Sequence, residues 1–173
     1  MYSDTVTLFN FYSSSLGDMW YPTIIHNANL MIDKASIVAK YGAESKDNAI
    51  LNIHYRDIKV ENPEEGEALF HTFVKCKKNV NGGSVFVEKE WFSPKEWERQ
   101  TNDKLSESIT FSDGDDSDFF MLGDYGSTEP ILDDDYRNGF YEYMEKNYDY
   151  VFTITAVAKF SSSTIPHFEI MGK

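Results

Sequence analysis

Polar and apolar residues alternate from Val6 through Leu8 and Phe9 to Tyr12, the pattern of a strand with one buried face, and Ser13, Ser14, Ser15, Gly17 and Asp18 supply turn chemistry. Residues 20–32 resume as a long strand, so the chain should open on an antiparallel hairpin. Pro22 cannot donate to a ladder, which places it at an edge or at a strand's beginning. In residues 49–55, Ile50, Asn52 and His54 alternate with Leu51, Ile53 and Tyr55, a further half-buried strand.

Residues 57–83 carry no clear period. They run from turn signals at Asn62 and Pro63 through Phe70 and Phe73 to Asn81, Gly82 and Gly83, and they read as an inserted arm or loop. The Asn-Gly-Gly turn predicts a hairpin whose second arm starts at Ser84. Ser93, Pro94 and Glu96 form a capping-box pattern, so a short helix should run from Pro94 to near Asn102. Residues 108–111 and 118–122 are short strand candidates flanking an acidic loop at 112–117. After Asp133, Asp134 and Asp135, a second helix is predicted over 136–147, with Phe140, Tyr143 and Met144 on one face despite Gly139. Residues 151–160 form the plainest strand, and 161–164 turn it toward a last one at 167–171. The fold expected is one mainly-β domain over 1–173, a small β-barrel or sandwich with one or two short helices and long inserted loops.

Charge alters this picture in one region. The net charge is −13, and residues 101–150 hold 14 Asp or Glu against Lys104, Arg137 and Lys146, a local balance of −11. Such a surface repels phosphate, so DNA near it would not be gripped. Cys76 is the only cysteine, which rules out an intramolecular disulfide or a thiolate zinc cluster within one chain and fits a reducing compartment. The N-terminus lacks a signal-peptide pattern, and no stretch approaches the roughly 18 apolar residues of a membrane span, so neither export by that route nor a membrane partner is expected.

Candidate chemistry is sparse. Asp113, Asp115, Ser117 and Asp124 occupy positions 1, 3, 5 and 12 of a calcium-loop pattern. Asp118 stands where that loop needs Gly, and Asp124 where it needs Glu. A solvated acidic turn is the expected reading, and a calcium-dependent binding or hydrolytic domain its rival. His26, His54, His71 and His167 lack the spacing of a helical metal pair, and Cys76, between Lys75 and Lys77, has no visible base. No nucleophile elbow or phosphate loop occurs. Neither a catalytic residue nor a cofactor is expected. Aromatic residues are 16% of the chain, more rings than one small core should absorb, which makes Phe70, Phe73, Trp91, Trp97 and Tyr148 candidates for a subunit interface. Phe92, Tyr136, Tyr141 and Tyr150 add to the same crowding.

Four segments carry a resemblance. They are Val6 to Asn10 followed by Trp20-Tyr21-Pro22-Thr23, Phe92-Ser93-Pro94-Lys95-Glu96-Trp97, Phe119-Phe120-Met121-Leu122-Gly123-Asp124, and the ending Pro166 to Lys173. In order and spacing they resemble small virion proteins of tailed phages and prophages, of the head–tail connector class (head-completion or stopper proteins). The resemblance implies a small β-barrel that forms a ring with copies of itself. It further implies portal or adaptor and tail proteins as partners, passage of DNA without specific binding, a place in the virion, and no enzymatic role. A tail terminator or other tail-proximal subunit is the alternative within that class. Residues 57–83 and the acidic stretch 126–139 look like insertions relative to the shorter family pattern.

Overall fold

The computed structural model describes residues 2–33, 48–61, 64, 66, 68–114, 117–161 and 164–173. It is mainly β, with three short helices among the described residues. The opening hairpin is present: β1 (Asp4–Ser14) pairs with β2 (Gly17–Asp33) from the Ser14↔Gly17 end outward. Gly17 closes the turn with φ 125, where a side chain would be strained. Pro22 lies well inside β2, opposite Phe9. It is tolerated because the far side of β2 pairs with β9 (Ile131–Leu132) only as far as Trp20 and with β5 (Ala68–Val80) only at Ile24, leaving a local edge between them.

β3 (Asn48–His54), β8 (Phe119–Leu122), β10 (Val151–Phe160) and β11 (His167–Gly172) complete a closed circuit, β1-β8-β10-β11-β3-β2 and back to β1. Every pair in it is antiparallel. Closure removes the unpaired edges of an open sheet, and so small a barrel is filled by its own side chains. The inward rows are Val6 and Leu8, Phe120, Phe152 and Ile154, Phe168 and Ile170, Leu51 and Ile53, and Ile25 and Ala28, all buried. Packing leaves no slack at Gly172, where an added Cβ would lie 2.9 Å from the Phe120 ring.

The outer face of β1, β2 and β8 is also apolar. Phe9, Trp20, Phe119 and Met121 are covered by Phe140 and Met144 of α3 (Phe140–Asn147). That helix starts later than the sequence predicts. Asp133 to Asp135 form a 3₁₀ turn and Gly139 sits at φ 92, so the α-helix begins only at Phe140. Asp133, within the stretch read as an acidic insertion, holds the junction: its Oδ1 accepts from the Phe140 N–H at 2.8 Å and from Trp20 Nε1 at 2.9 Å.

The first predicted helix is also revised. α1 (Pro94–Glu98) is one turn, and α2 (Asn102–Glu107) is a separate helix that the sequence reading missed. Ser93 makes no side-chain cap bond. α1 is held instead by Trp97, which packs with Tyr21 and Leu105 in a third apolar cluster.

Residues 57–83 differ most from expectation. Their described residues are largely strand rather than loop: β4 (Arg56–Glu61) pairs with β5 (Ala68–Val80), which turns at Asn81 and Gly82 into β6 (Gly83–Trp91). This three-stranded flap meets the barrel through the single Ile24↔Lys77 pair and through Val74 and Cys76, which enter the main core. β7 (Ser108–Ile109) adds to β6 in parallel.

Candidate functional site

Strand geometry divides the acidic loop. Asp118 continues the inward row of β8 and is fully buried. Its carboxylate accepts from Asn10 Nδ2 at 2.8 Å, the Phe11 N–H at 2.8 Å and the Ser112 N–H at 2.9 Å. Asn10 Nδ2 also reaches the Thr110 carbonyl at 2.6 Å. Burial pushes the Asp118 pKa up to about 7, while the three N–H donors act against that rise. Asp118 is therefore the tie that fixes the start of β8 to β1 and to residues 110–112.

Asp113, in contrast, is exposed, and Asp124 lies at the far end of β8. Four extended residues span roughly 13 Å, too far for the two carboxylates to share one ion. Asp124 binds Lys77 Nζ at 2.6 Å and accepts the Gly126 N–H at 2.7 Å. Partial burial would raise its pKa, but these two donors outweigh it and the net direction is down. Ser117 Oγ donates to the Gly114 carbonyl. Asp115 lies outside the described residues. Among the described residues, no group of three His, Cys, Asp or Glu is placed to hold a metal.

The five aromatic interface candidates separate. Trp97 is 1% exposed and belongs to the core beside Tyr21. Trp91 is half-buried, its ring 5.2 Å from Phe168. Phe73 is half-buried under the Arg56 guanidinium, 5.7 Å from its ring centre. Phe70 and Tyr148 are exposed. Sequence reasoning missed Val60, Leu69, Val85 and Phe86, which the flap also leaves exposed. The signal was there in two adjacent apolar pairs, Leu69-Phe70 and Val85-Phe86, since adjacent strand residues face opposite ways and cannot share one core.

A caged lysine anchors the flap to the barrel. Lys159 of β10 places Nζ 4.9 Å from the Tyr55 ring, 5.1 Å from Trp91 and 5.9 Å from Phe168. It donates to Thr72 Oγ1 at 2.8 Å and lies 3.8 Å from Asp57. At the hairpin's other end Asn79 Nδ2 donates to the Gly126 carbonyl at 3.2 Å. Lys89, whose pKa burial lowers, donates to Thr23 Oγ1 at 2.8 Å.

The remaining reactive side chains have structural surroundings. Burial raises Cys76 to about 11 and keeps the thiol protonated. His26 bonds Thr5 Oγ1 at 2.8 Å, and His71 pairs with Glu90. Burial and the neighbouring His167 lower His54. An open cleft of about 500 Å³ between the flap and α2 is lined by Lys77, Lys78 and Lys89 against Glu88, Glu107 and Glu129, a mixture of signs without a paired nucleophile and base. The surfaces available for recognition are thus the flap and the bare parts of the barrel.

No curated protein and no solved structure matches the chain. Residues 1–173 match the family of unknown function DUF6751, and the chain belongs to that family.

Proposed function

We propose that this chain is a structural, ring-forming subunit of a phage head–tail connector, of the head-completion or stopper type, joining portal or adaptor to tail and letting DNA pass. The observation that carries the reading is the flap. A barrel closed on itself has no need of a further sheet, yet β4 to β6 leave Phe70 63%, Phe86 60% and Leu69 49% exposed. Apolar surface gathered on one protrusion favours contact with another protein.

Two further features support it. The segments that resemble connector proteins fall on β1, β2, β8 and β11 of the barrel and on α1, whose Trp97 packs against Tyr21 of β2. The excess acid of residues 101–150 includes exposed Asp113, Asp134 and Asp135, a surface suited to a channel that DNA traverses without adhering. Negative-stain imaging of the purified protein, alone and mixed with portal complexes, tests the reading. Rings of uniform size are expected in at least the mixture. Single particles in both samples would overturn it.

A further inference from the structure

The barrel closes on itself, but the sheet that leaves it does not. The outer strands of the flap are β4 and β6, and their edges are composed differently. β4 carries Arg56, Asp57, Lys59 and Glu61 among its six residues, the charged composition that keeps an edge strand from pairing with another chain. β6 runs Gly83-Ser84-Val85-Phe86-Val87 before its first charge, and β7 pairs with it only at Glu90 and Trp91. Among the described residues, nothing continues the ladder on the outer side of Gly83 to Val87. A Cβ added to Gly83 would meet no atom within 4 Å.

The turn sets which backbone groups are left over. Asn81 and Gly82 form a two-residue loop, so Val80 and Gly83 close the hairpin as a hydrogen-bonded pair, and Val85 and Val87 likewise direct their N–H and C=O groups to β5. Ser84 and Phe86 direct theirs away from it. The side chains of this edge are uncovered as well. Val85 is 44% exposed and Phe86 60%, and as strand neighbours they stand on opposite faces of the sheet. No surface laid on one face covers both. A strand laid along the edge does, because it adds side chains to both faces at once.

We propose that the edge of β6, residues 83–87, pairs antiparallel with the same edge of a second copy of this chain, joining two flaps into one continuous sheet. A two-fold axis at Val85 sets Val85 opposite Val85, Ser84 opposite Phe86 on either side, and Gly83 opposite Val87 beyond. No charged residue lies within this register, so no like charges meet across it. The partner's turn, Asn81 and Gly82, comes level with Glu88 and Lys89, which line the open cleft facing Ser106 and Glu107. The contact goes beyond the ring reading: a two-fold contact makes a pair, and closing a ring needs a separate contact between unlike patches.

Thiol crosslinking tests the register, because Cys76 is buried and an introduced thiol reports alone. Val85→Cys places two thiols face to face at the axis, in a non-hydrogen-bonded pair whose Cα atoms lie roughly 4.5 Å apart, within reach of a disulfide. Val60→Cys, on the charged edge of β4 and similarly exposed, is the control. Under mild oxidation the first variant is expected to become a disulfide-linked dimer and the second to stay monomeric. No linked dimer from Val85→Cys, or equal linking of both, overturns the inference. Phe86→Lys gives the edge of β6 the charge that β4 already has. In sedimentation velocity over a concentration series it is expected to lose the dimer that the wild-type protein forms, with an unchanged circular dichroism spectrum. A wild-type protein that stays monomeric throughout, or a dimer that survives this substitution, also overturns it. The two readings fail separately: ring-sized multimers without linking at Val85 leave the ring and remove this contact, whereas linked dimers that form no rings with portal complexes do the reverse.

Discussion

The hairpins β1–β2 and β5–β6 are built from the same alternating pattern and end differently. In β1 the inward residues Val6 and Leu8 fill the barrel while the outward Phe9 is sealed under Phe140, with their ring centres 5.2 Å apart. In β5–β6 Val74 and Cys76 enter a core, Val87 and Trp91 pack against it half-buried, and Phe70, Val85 and Phe86 are left exposed. Local sequence makes both into hairpins. What covers the second face is decided elsewhere in the chain, by an eight-residue helix for one and by nothing within the described residues for the other.

The widest test of that difference removes one aromatic ring from each hairpin. Phe9→Ala should cost about 3–5 kcal/mol, the range for deleting a buried aromatic side chain. Phe86→Ala should stay within about 0.5 kcal/mol, as for an exposed position. Urea denaturation of both variants measures the contrast, and equal losses would show that the flap's outer face is buried in the isolated protein.

A smaller effect is expected at Asp118, where the barrel grips its acidic loop. Asp118→Asn replaces one acceptor oxygen with a donor facing N–H groups, and should cost about 1–3 kcal/mol. The linkage sign follows from the raised pKa. With the folded value at about 7 and the unfolded value near 4, the folded protein binds the extra proton between them. Stability from this group is full below the unfolded value and is lost as pH rises toward 7. The variant should lack that slope, which thermal melts across the window will report.

Helix starts offer the finest contrast. Asp133→Ala removes the acceptor for the Phe140 N–H and for Trp20 Nε1, and should cost about 0.5–2 kcal/mol, as for a lost cap. Ser93→Ala, at the position with the more familiar capping pattern, should fall within about 0.5 kcal/mol because its hydroxyl makes no cap bond. Melting temperatures of the pair settle which acid or hydroxyl starts a helix.

These comparisons also show what was legible in the sequence. β1, β2, β3, β10 and β11 could be read because one side of each faces a common core and leaves a period of two. The choice of barrel over sandwich could not, since it rests on β11 lying between β3 and β10, a pairing no local pattern encodes. The loop 112–118 looked uniformly solvated because a carboxylate tied to backbone donors and one in water are the same letter. Asp118 differs from Asp113 through the Ser112 N–H and through Asn10 and Phe11, the last two more than a hundred residues away. The flap was obscured for a related reason: with apolar and charged residues on both faces of Leu69 to Lys78, the buried side that carries Thr72, Val74 and Cys76 does not stand out in the sequence. Trp97 misled in the other direction, an aromatic in a polar one-turn helix whose ring is what fixes that helix to β2.

The place of β11 bears on how the chain is made. It follows the other five barrel strands in the chain, yet it pairs with β3 and β10 on its two sides. Until residues 167–172 leave the ribosome, the nascent barrel is an open sheet with two exposed edges, carrying the inward faces of Leu51, Ile53 and Ile154 unshielded. Long-range closure of this kind is slow and exposes aggregation-prone edges meanwhile. Premature termination just before β11 therefore removes a staple between two halves of the barrel rather than a terminal strand at its margin, and such fragments should partition into aggregates or chaperone complexes during translation.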